Sequence, residues 1–139
     1  MTIARDLMTP RPQVVKTDQT AADAARLMAE QSVGALPICG KDDKIKGVVT
    51  DRDIVIKVIA KGRDAGGFPA GDLNQDEAVT VGADDPADEV LATMTRHQVR
   101  RLPVIDGDRL VGMIALADVV RALPDRTAGD LAEVLSSDF

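Results

Sequence analysis

The chain has 139 residues, of which 45% are hydrophobic and 1% aromatic, and its formal net charge is −6. This length suits one compact domain, or two small halves around an aliphatic core. The acidic balance and the few aromatic rings disfavour binding to DNA or RNA. Cys39 is the lone cysteine, which excludes an intramolecular disulfide. With no apolar signal region and no apolar run of about 18 residues, we predict a cytoplasmic protein that does not enter a membrane.

The first half of the chain predicts an alternating helix and strand unit. Its apolar residues repeat with helical spacing in the middle of the unit and lie in short β-branched runs on either side. In chain order the predicted elements are a short helical phrase at 4–7, a strand at 14–15, a helix over 21–28, a strand pair within 35–49 and a closing helix at about 52–60.

The second half repeats this order of elements. At one nearly constant offset, Leu7 corresponds to Leu73, Met28 to Met94 and Asp53 to Asp118. Because one copy cannot bury its apolar face alone, we expect the two copies to pack together. The boundaries predicted from the repeat are motif 1 at 3–62, a linker at 63–69, motif 2 at 70–124 and a C-terminal tail with a short helix at 125–139.

Two local features of the repeat carry further expectations. Pro37 and Pro103 lack an N–H, so we expect strand pairing to be interrupted there. The closing helix from Ile54 to Ile59 is apolar on nearly all sides and must be buried on more than one. The simplest partner is a second copy in a two-fold dimer, and the alternative is a helix wedged between the two halves of one chain.

Thr50, Arg52 and Asp53 lie where a strand passes into the closing helix. A helix start, a hydroxyl and a guanidinium suit a phosphate, and a carboxylate suits the two hydroxyls of a ribose. The competing interpretation is a capping box, because Thr50 and Asp53 have that spacing. The second copy keeps Asp118 but has Ala115 in place of the threonine, which favours hydroxyl binding slightly over capping.

Other side chains suggest chemistry less specifically. Arg100 and Arg101 belong to a basic cluster with Arg96 and His97, and this cluster either neutralises phosphates or is a solvated face. Cys39 and His97 are too few for a structural zinc site, so we predict no metal. They also occupy non-equivalent places in the repeat, and we predict no catalytic pair and no enzyme.

The motifs of both halves resemble those of the cystathionine β-synthase (CBS) domain family. The resemblance rests on GALPI at 34–38 and GVVTDRDI at 47–54, and on RLPVI at 101–105 and GMI with the later Asp-Val at 112–119. Two such motifs in order resemble a Bateman module. This implies an α/β fold with two small sheets flanked by helices, related by a pseudo-two-fold axis, and a disc-shaped homodimer.

The family resemblance also implies a ligand and its site. It implies regulation by an adenosine-containing compound, AMP, ADP, ATP or S-adenosylmethionine, with the carboxylate on ribose, the threonine and arginine on phosphate, and strand backbone on adenine. Each cleft of the family combines the helix start of one motif with strand residues of the other. Carried over, cleft one joins Thr50, Arg52 and Asp53 to Val79, Val99 and Arg100, and cleft two joins Asp118 to Gln13, Val33 and Gly34.

These observations predict a regulatory, non-enzymatic sensor. The ligand would bias the mutual angle of the two motifs, and an unknown effector protein would receive the output. Because Ala115 lacks a hydroxyl, cleft two is expected to bind more weakly or to stay empty. The alternative is a ligand-free dimeric interaction scaffold.

Overall fold

A computed structural model describes residues 1–74 and 78–123. The chain divides into two compact units, one made of 13–78 and the other made of 1–12 with the chain from 79 onward. We call them the 13–78 unit and the 79–123 unit. Each has a small sheet, helices on it and an aliphatic core, so the predicted α/β plan is confirmed in both repeats. Among the described residues, no helix has the length and apolar character to cross a membrane.

The 13–78 unit contains a three-stranded sheet in the order β2-β3-β4. β2 runs parallel to β3, and β3 runs antiparallel to β4. The fully buried side chains of Val15, Ile38 and Val49 hold helix α2 and the closing helix against this sheet. The elements are β2 (Val15–Lys16), α2 (Ala21–Gln31), β3 (Ala35–Cys39), β4 (Ile45–Thr50), α3 (Asp51–Ile54), a π-helical turn (Val55–Ile59) and a 3-10 turn (Ala70–Asp72).

The 79–123 unit repeats this arrangement with one additional edge strand. Its sheet has the order β1-β7-β6-β5, and its core includes the fully buried Val90, Met94, Val104 and Ile114. The elements are α1 (Ala4–Leu7), β1 (Thr9–Pro10), β5 (Val81–Gly82), α4 (Ala87–His97), β6 (Arg101–Asp106), β7 (Arg109–Ala115) and α5 (Leu116–Ala122).

The opening phrase of each repeat packs within the unit formed by the other repeat. Ala4 is fully buried in the 79–123 core, and its N–H donates to the Asp85 carbonyl at 2.9 Å. Ala70 is fully buried in the 13–78 core, and its N–H donates to the Gln19 carbonyl at 2.7 Å. The compact units therefore divide the chain differently from the sequence repeats.

The segment predicted as a linker contributes to packing as well. Ala65 and Phe68 lie against the core of the 13–78 unit, and their carbonyls accept the N–H groups of Ala22 and Ala21 at the start of α2. These contacts satisfy two of the N–H groups that a helix start leaves unbonded. The predicted motif boundaries remain predictions, and the predicted tail helix at 125–139 lies outside the described residues.

The expected interruption of strand pairing at the prolines is wrong. Pairing continues through Pro37, opposite Val48, and through Pro103, opposite Met113. The Asp51 N–H donates to the Gly34 carbonyl, and hydrogen-bonded pairs alternate along antiparallel strands. Pro37 therefore falls at a non-hydrogen-bonded pair, where β4 does not need its N–H. In the other unit the Leu116 N–H donates to the Arg100 carbonyl, so Pro103 also falls at a non-hydrogen-bonded pair.

Candidate functional site

Thr50 and Asp53 form a complete capping box at the start of α3. The Thr50 hydroxyl oxygen accepts the Asp53 N–H at 3.1 Å, and Asp53 Oδ2 accepts the Thr50 N–H at 2.9 Å. Thr50 is nearly buried, with 9% of its surface exposed to solvent. The capping interpretation is therefore confirmed. The capping bonds use the Thr50 hydroxyl only as an acceptor and only one oxygen of Asp53. The hydroxyl can still donate a hydrogen bond, and the second carboxylate oxygen can still accept one.

Lys57 faces the second oxygen of this carboxylate. Its Nζ lies 3.6 Å from Asp53 Oδ1 and donates to the Leu73 carbonyl at 2.5 Å. The Asp53 side chain is 19% exposed and the Lys57 side chain 45%. Lys57 was not among the site residues predicted from the sequence, although an acidic residue four positions before a lysine on a helix is a recognised pairing signal.

Asp118 occupies the equivalent place in the 79–123 unit. Its Oδ2 accepts the Ala115 N–H at 3.2 Å, and its Oδ1 lies 2.5 Å from the Arg121 guanidinium. Asp118 therefore caps α5 without a threonine, so the missing threonine does not favour hydroxyl binding over capping. The aspartate half of a capping box needs only the backbone N–H of the residue before the helix, and Ala115 supplies it.

The predicted site residues are distributed over both units. Thr50, Arg52, Asp53, Gln13, Val33 and Gly34 belong to the 13–78 unit, whereas Val79, Val99, Arg100, Arg101 and Asp118 belong to the 79–123 unit. Arg52, Arg101 and Gln13 are exposed. Val33, Val79 and Val99 are half-buried against the core of their own unit. The two predicted clefts join residues of both units and stay predictions.

The Asp51 carboxylate of α3, which was not among the predicted site residues, lies beside the start of β3. A Cβ atom added to Gly34 would lie 3.2 Å from Asp51 Oδ2, and the Asp51 N–H donates to the Gly34 carbonyl at 2.9 Å. At the equivalent place in the other unit, the Leu116 N–H donates to the Arg100 carbonyl at 2.8 Å. The same backbone contact therefore joins a glycine to an aspartate in one unit and an arginine to a leucine in the other.

Cys39 has the environment of a structural cysteine. It lies in β3 with 2% exposure, and burial raises the pKa of its thiol above the usual value. Because the thiolate is the nucleophile, this shift reduces its reactivity. His97 lies at the exposed end of α4. Within residues 1–74 and 78–123, no three histidine, cysteine or acidic side chains are grouped so that they could hold a metal ion.

Comparison with known proteins identifies the family. The family model described as the CBS domain matches residues 4–60 and again 70–125. The chain belongs to the CBS domain family. Its two matches make it a CBS domain pair, as the repeated GALPI and RLPVI motifs predict. Thr50 and Asp53 fall in the first matched domain, and Asp118 falls in the second.

Relatives of this CBS domain pair share nearly its whole length. Hypoxic response protein 1 of Mycobacterium tuberculosis is 44% identical over 99% of this chain and 96% of its own. The CBS domain-containing protein YhcV of Bacillus subtilis is 36% identical over 93% of this chain and 91% of its own.

Solved structures agree with the fold of the CBS domain pair. Hypoxic Response Protein I with two coordinated zinc ions has a TM-score of 0.81 and 47% identity, over 88% of this chain and 100% of the solved one. CBSX2 in complex with AMP has a TM-score of 0.76 and 30% identity, over 89% of this chain and 97% of the solved one.

Proposed function

We propose that this CBS domain pair is a regulatory sensor of an adenosine-containing ligand, held in the cleft that the family resemblance predicts between its two motifs. The observation that carries the proposal is the Thr50–Asp53 pair, which retains a hydroxyl donor and a carboxylate acceptor after capping α3. The AMP complex of CBSX2, which is 30% identical to this chain, supports the ligand class.

Each group at this helix start matches one part of a nucleotide. The Asp53 carboxylate accepts from ribose hydroxyls, and the Thr50 hydroxyl and the exposed Arg52 donate to phosphate. Val79 and Val99 supply apolar contacts and backbone groups for adenine. Because a ligand that touches both motifs binds one mutual arrangement better than others, it shifts the population toward that arrangement.

A homodimer is the second part of the proposal. The π-helical turn leaves large apolar side chains in solvent, with Val55 56%, Ile56 42% and Ile59 61% exposed, whereas Val58 of the same turn is fully buried. Contiguous apolar surface of this kind is typical of an interface. A second copy that presents the same helix would cover it in a two-fold arrangement.

The role is binding rather than catalysis. Burial suppresses the nucleophilicity of Cys39, and the Asp53 and Asp118 carboxylates both cap helices. In this proposal the output is received by an effector protein that responds to the state of the sensor. The name of the Mycobacterium relative suggests a stress response as the setting.

The alternative, a ligand-free scaffold, is favoured by one observation. Asp53 and Asp118 both cap helices, and this role stabilises the fold whether or not a ligand binds. Thermal denaturation with AMP, ADP, ATP and S-adenosylmethionine distinguishes the two functions. A ligand at 100 times its Kd adds about 2.7 kcal/mol, which raises the Tm by several degrees for a chain of this size. An unchanged Tm with all four compounds would favour the scaffold.

A further inference from the structure

Three of the aspartates that cap helices have a cation three or four residues further along the chain. Asp23, Asp53 and Asp118 each use Oδ2 to accept a backbone N–H, at 3.0, 2.9 and 3.2 Å. Their other carboxylate oxygen, Oδ1, faces the cation in all three cases. The three sites differ in what the cation does to that oxygen.

At Asp23 and Asp118, an arginine occupies Oδ1. The Arg26 guanidinium donates to Asp23 Oδ1 at 3.0 Å, and the Arg121 guanidinium donates to Asp118 Oδ1 at 2.5 Å. Both arginine side chains are exposed. Each hydrogen bond uses acceptor capacity that a ligand hydroxyl would otherwise meet.

At Asp53, the cation is bound to another group. Lys57 Nζ lies 3.6 Å from Asp53 Oδ1, which is too long for a hydrogen bond, and it donates instead to the carbonyl of the buried Leu73 at 2.5 Å. The ammonium group therefore offsets the charge of the carboxylate and leaves Oδ1 able to accept a hydrogen bond. Capping does not require this arrangement, since Asp23 and Asp118 cap their helices with a directly bonded arginine.

We infer that Lys57 is a positioning residue of the proposed ligand site. Bound to the Leu73 carbonyl, it offsets the negative charge of Asp53 and keeps Oδ1 as an acceptor for a ribose hydroxyl. This inference rests on the proposed function and deepens it, because it assigns the recognition of ribose hydroxyls to the placement of one ammonium group. Lys57 acts through Asp53 and not through a contact with the ligand.

Titration calorimetry of the full chain with AMP and with its dideoxy analogue, which lacks both ribose hydroxyls, tests the inference. We expect the unmodified chain to bind AMP about tenfold more tightly than the analogue, or better. Lys57→Arg keeps the charge but brings a guanidinium that can donate to Oδ1, as Arg26 and Arg121 do at their aspartates. This variant should reduce the preference for AMP to about threefold or less.

Lys57→Met separates the charge from the acceptor. It removes the ammonium group but puts no donor at Oδ1, so the preference for AMP over the analogue should remain. Both compounds should bind more weakly, because the carboxylate without its cation repels the phosphate that both carry. Lys46→Arg is the matched control, since it makes the same exchange at a lysine that pairs with the exposed Asp42, and both affinities should stay unchanged.

The preference for AMP over its analogue distinguishes positioning from a purely structural role. A structural effect of Lys57→Arg would weaken both compounds equally and leave the preference intact, and this result overturns the inference. Loss of the preference in Lys57→Met overturns it as well, which keeps the test available if Lys57→Arg does not fold. Equal affinity of the unmodified chain for the two compounds also overturns the inference, and in all three cases the proposed function stands. If neither compound binds, the proposed function fails and the inference fails with it.

Discussion

Lys57 joins the Asp53 carboxylate to the backbone of Leu73. Its Nζ lies 3.6 Å from Asp53 Oδ1 and 2.5 Å from the Leu73 carbonyl oxygen. In the other unit the equivalent of Lys57 is Ala122, and Asp118 pairs with the exposed Arg121 instead. The two aspartates therefore share their capping role and differ in their cationic neighbour.

Lys57→Met should lower the free energy of unfolding by about 1 kcal/mol, because the carbonyl of the buried Leu73 loses a charged donor. Urea denaturation followed by circular dichroism measures the change. Arg121→Met is the control, since an exposed ion pair contributes little. Equal stability of the two variants would contradict a structural role for Lys57.

Asp53→Asn separates ligand binding from capping. The asparagine carbonyl can still accept the Thr50 N–H, but the charge that binds ribose hydroxyls is lost. We expect AMP affinity to fall roughly 10- to 100-fold, the equivalent of about 1.5–3 kcal/mol, as measured by titration calorimetry. Asp53→Ala should lose the cap as well and melt at a lower temperature. An unchanged AMP affinity in Asp53→Asn, with only the Tm reduced, would support the scaffold.

Ile59→Asp tests the homodimer. The side chain of Ile59 is 61% exposed in one chain, and a charge at this position would be buried without a partner in a two-fold contact. We expect light scattering after size-exclusion chromatography to report a monomer. Lys61→Asp, at an exposed position beyond the helix, should remain a dimer. Retention of the dimer mass by Ile59→Asp would place the interface elsewhere.

Gly112→Ala tests the packing of Met8 and strand β1 against β7. A Cβ at Gly112 would lie 2.9 Å from the Thr9 carbonyl oxygen and even closer to the Met8 thioether. We expect a loss of about 1–3 kcal/mol in the free energy of unfolding, from thermal or urea denaturation. Gly47→Ala, whose Cβ would meet the Asn74 carbonyl oxygen at 3.3 Å, should cost less. An unchanged free energy of unfolding in Gly112→Ala would mean that Met8 and β1 shift away from β7 at little cost.

Much of the fold was predictable from local patterns. The amphipathic spacing from Ala21 to Met28, and its repeat from Ala87 to Met94, predicts helices because side chains three and four residues apart share one face. The Thr50–Asp53 capping box was predictable for the same reason, since its bonds join residues three apart. The family also followed from the sequence, because its two motifs occur in order.

The prediction about the prolines was wrong because it depended on the direction of backbone N–H groups, which residue types do not reveal. Hydrogen-bonded and non-hydrogen-bonded pairs alternate along β3 and β4. Which kind of pair contains Pro37 depends on how the two strands align. Capping by Asp118 likewise depends on a backbone group, the Ala115 N–H, and not on a second side chain.

By itself, the sequence determined the two CBS repeats, their helix and strand order and the capping aspartates, because these depend on residue spacing within short segments. Only the tertiary structure decided that Ala4 and Ala70 are buried in the unit of the opposite repeat, that Lys57 reaches Leu73, and that the Asp51 carboxylate stands beside Gly34. Burial and electrostatic interactions between distant residues depend on which segments come into contact, and the packing of the whole chain decides which segments do.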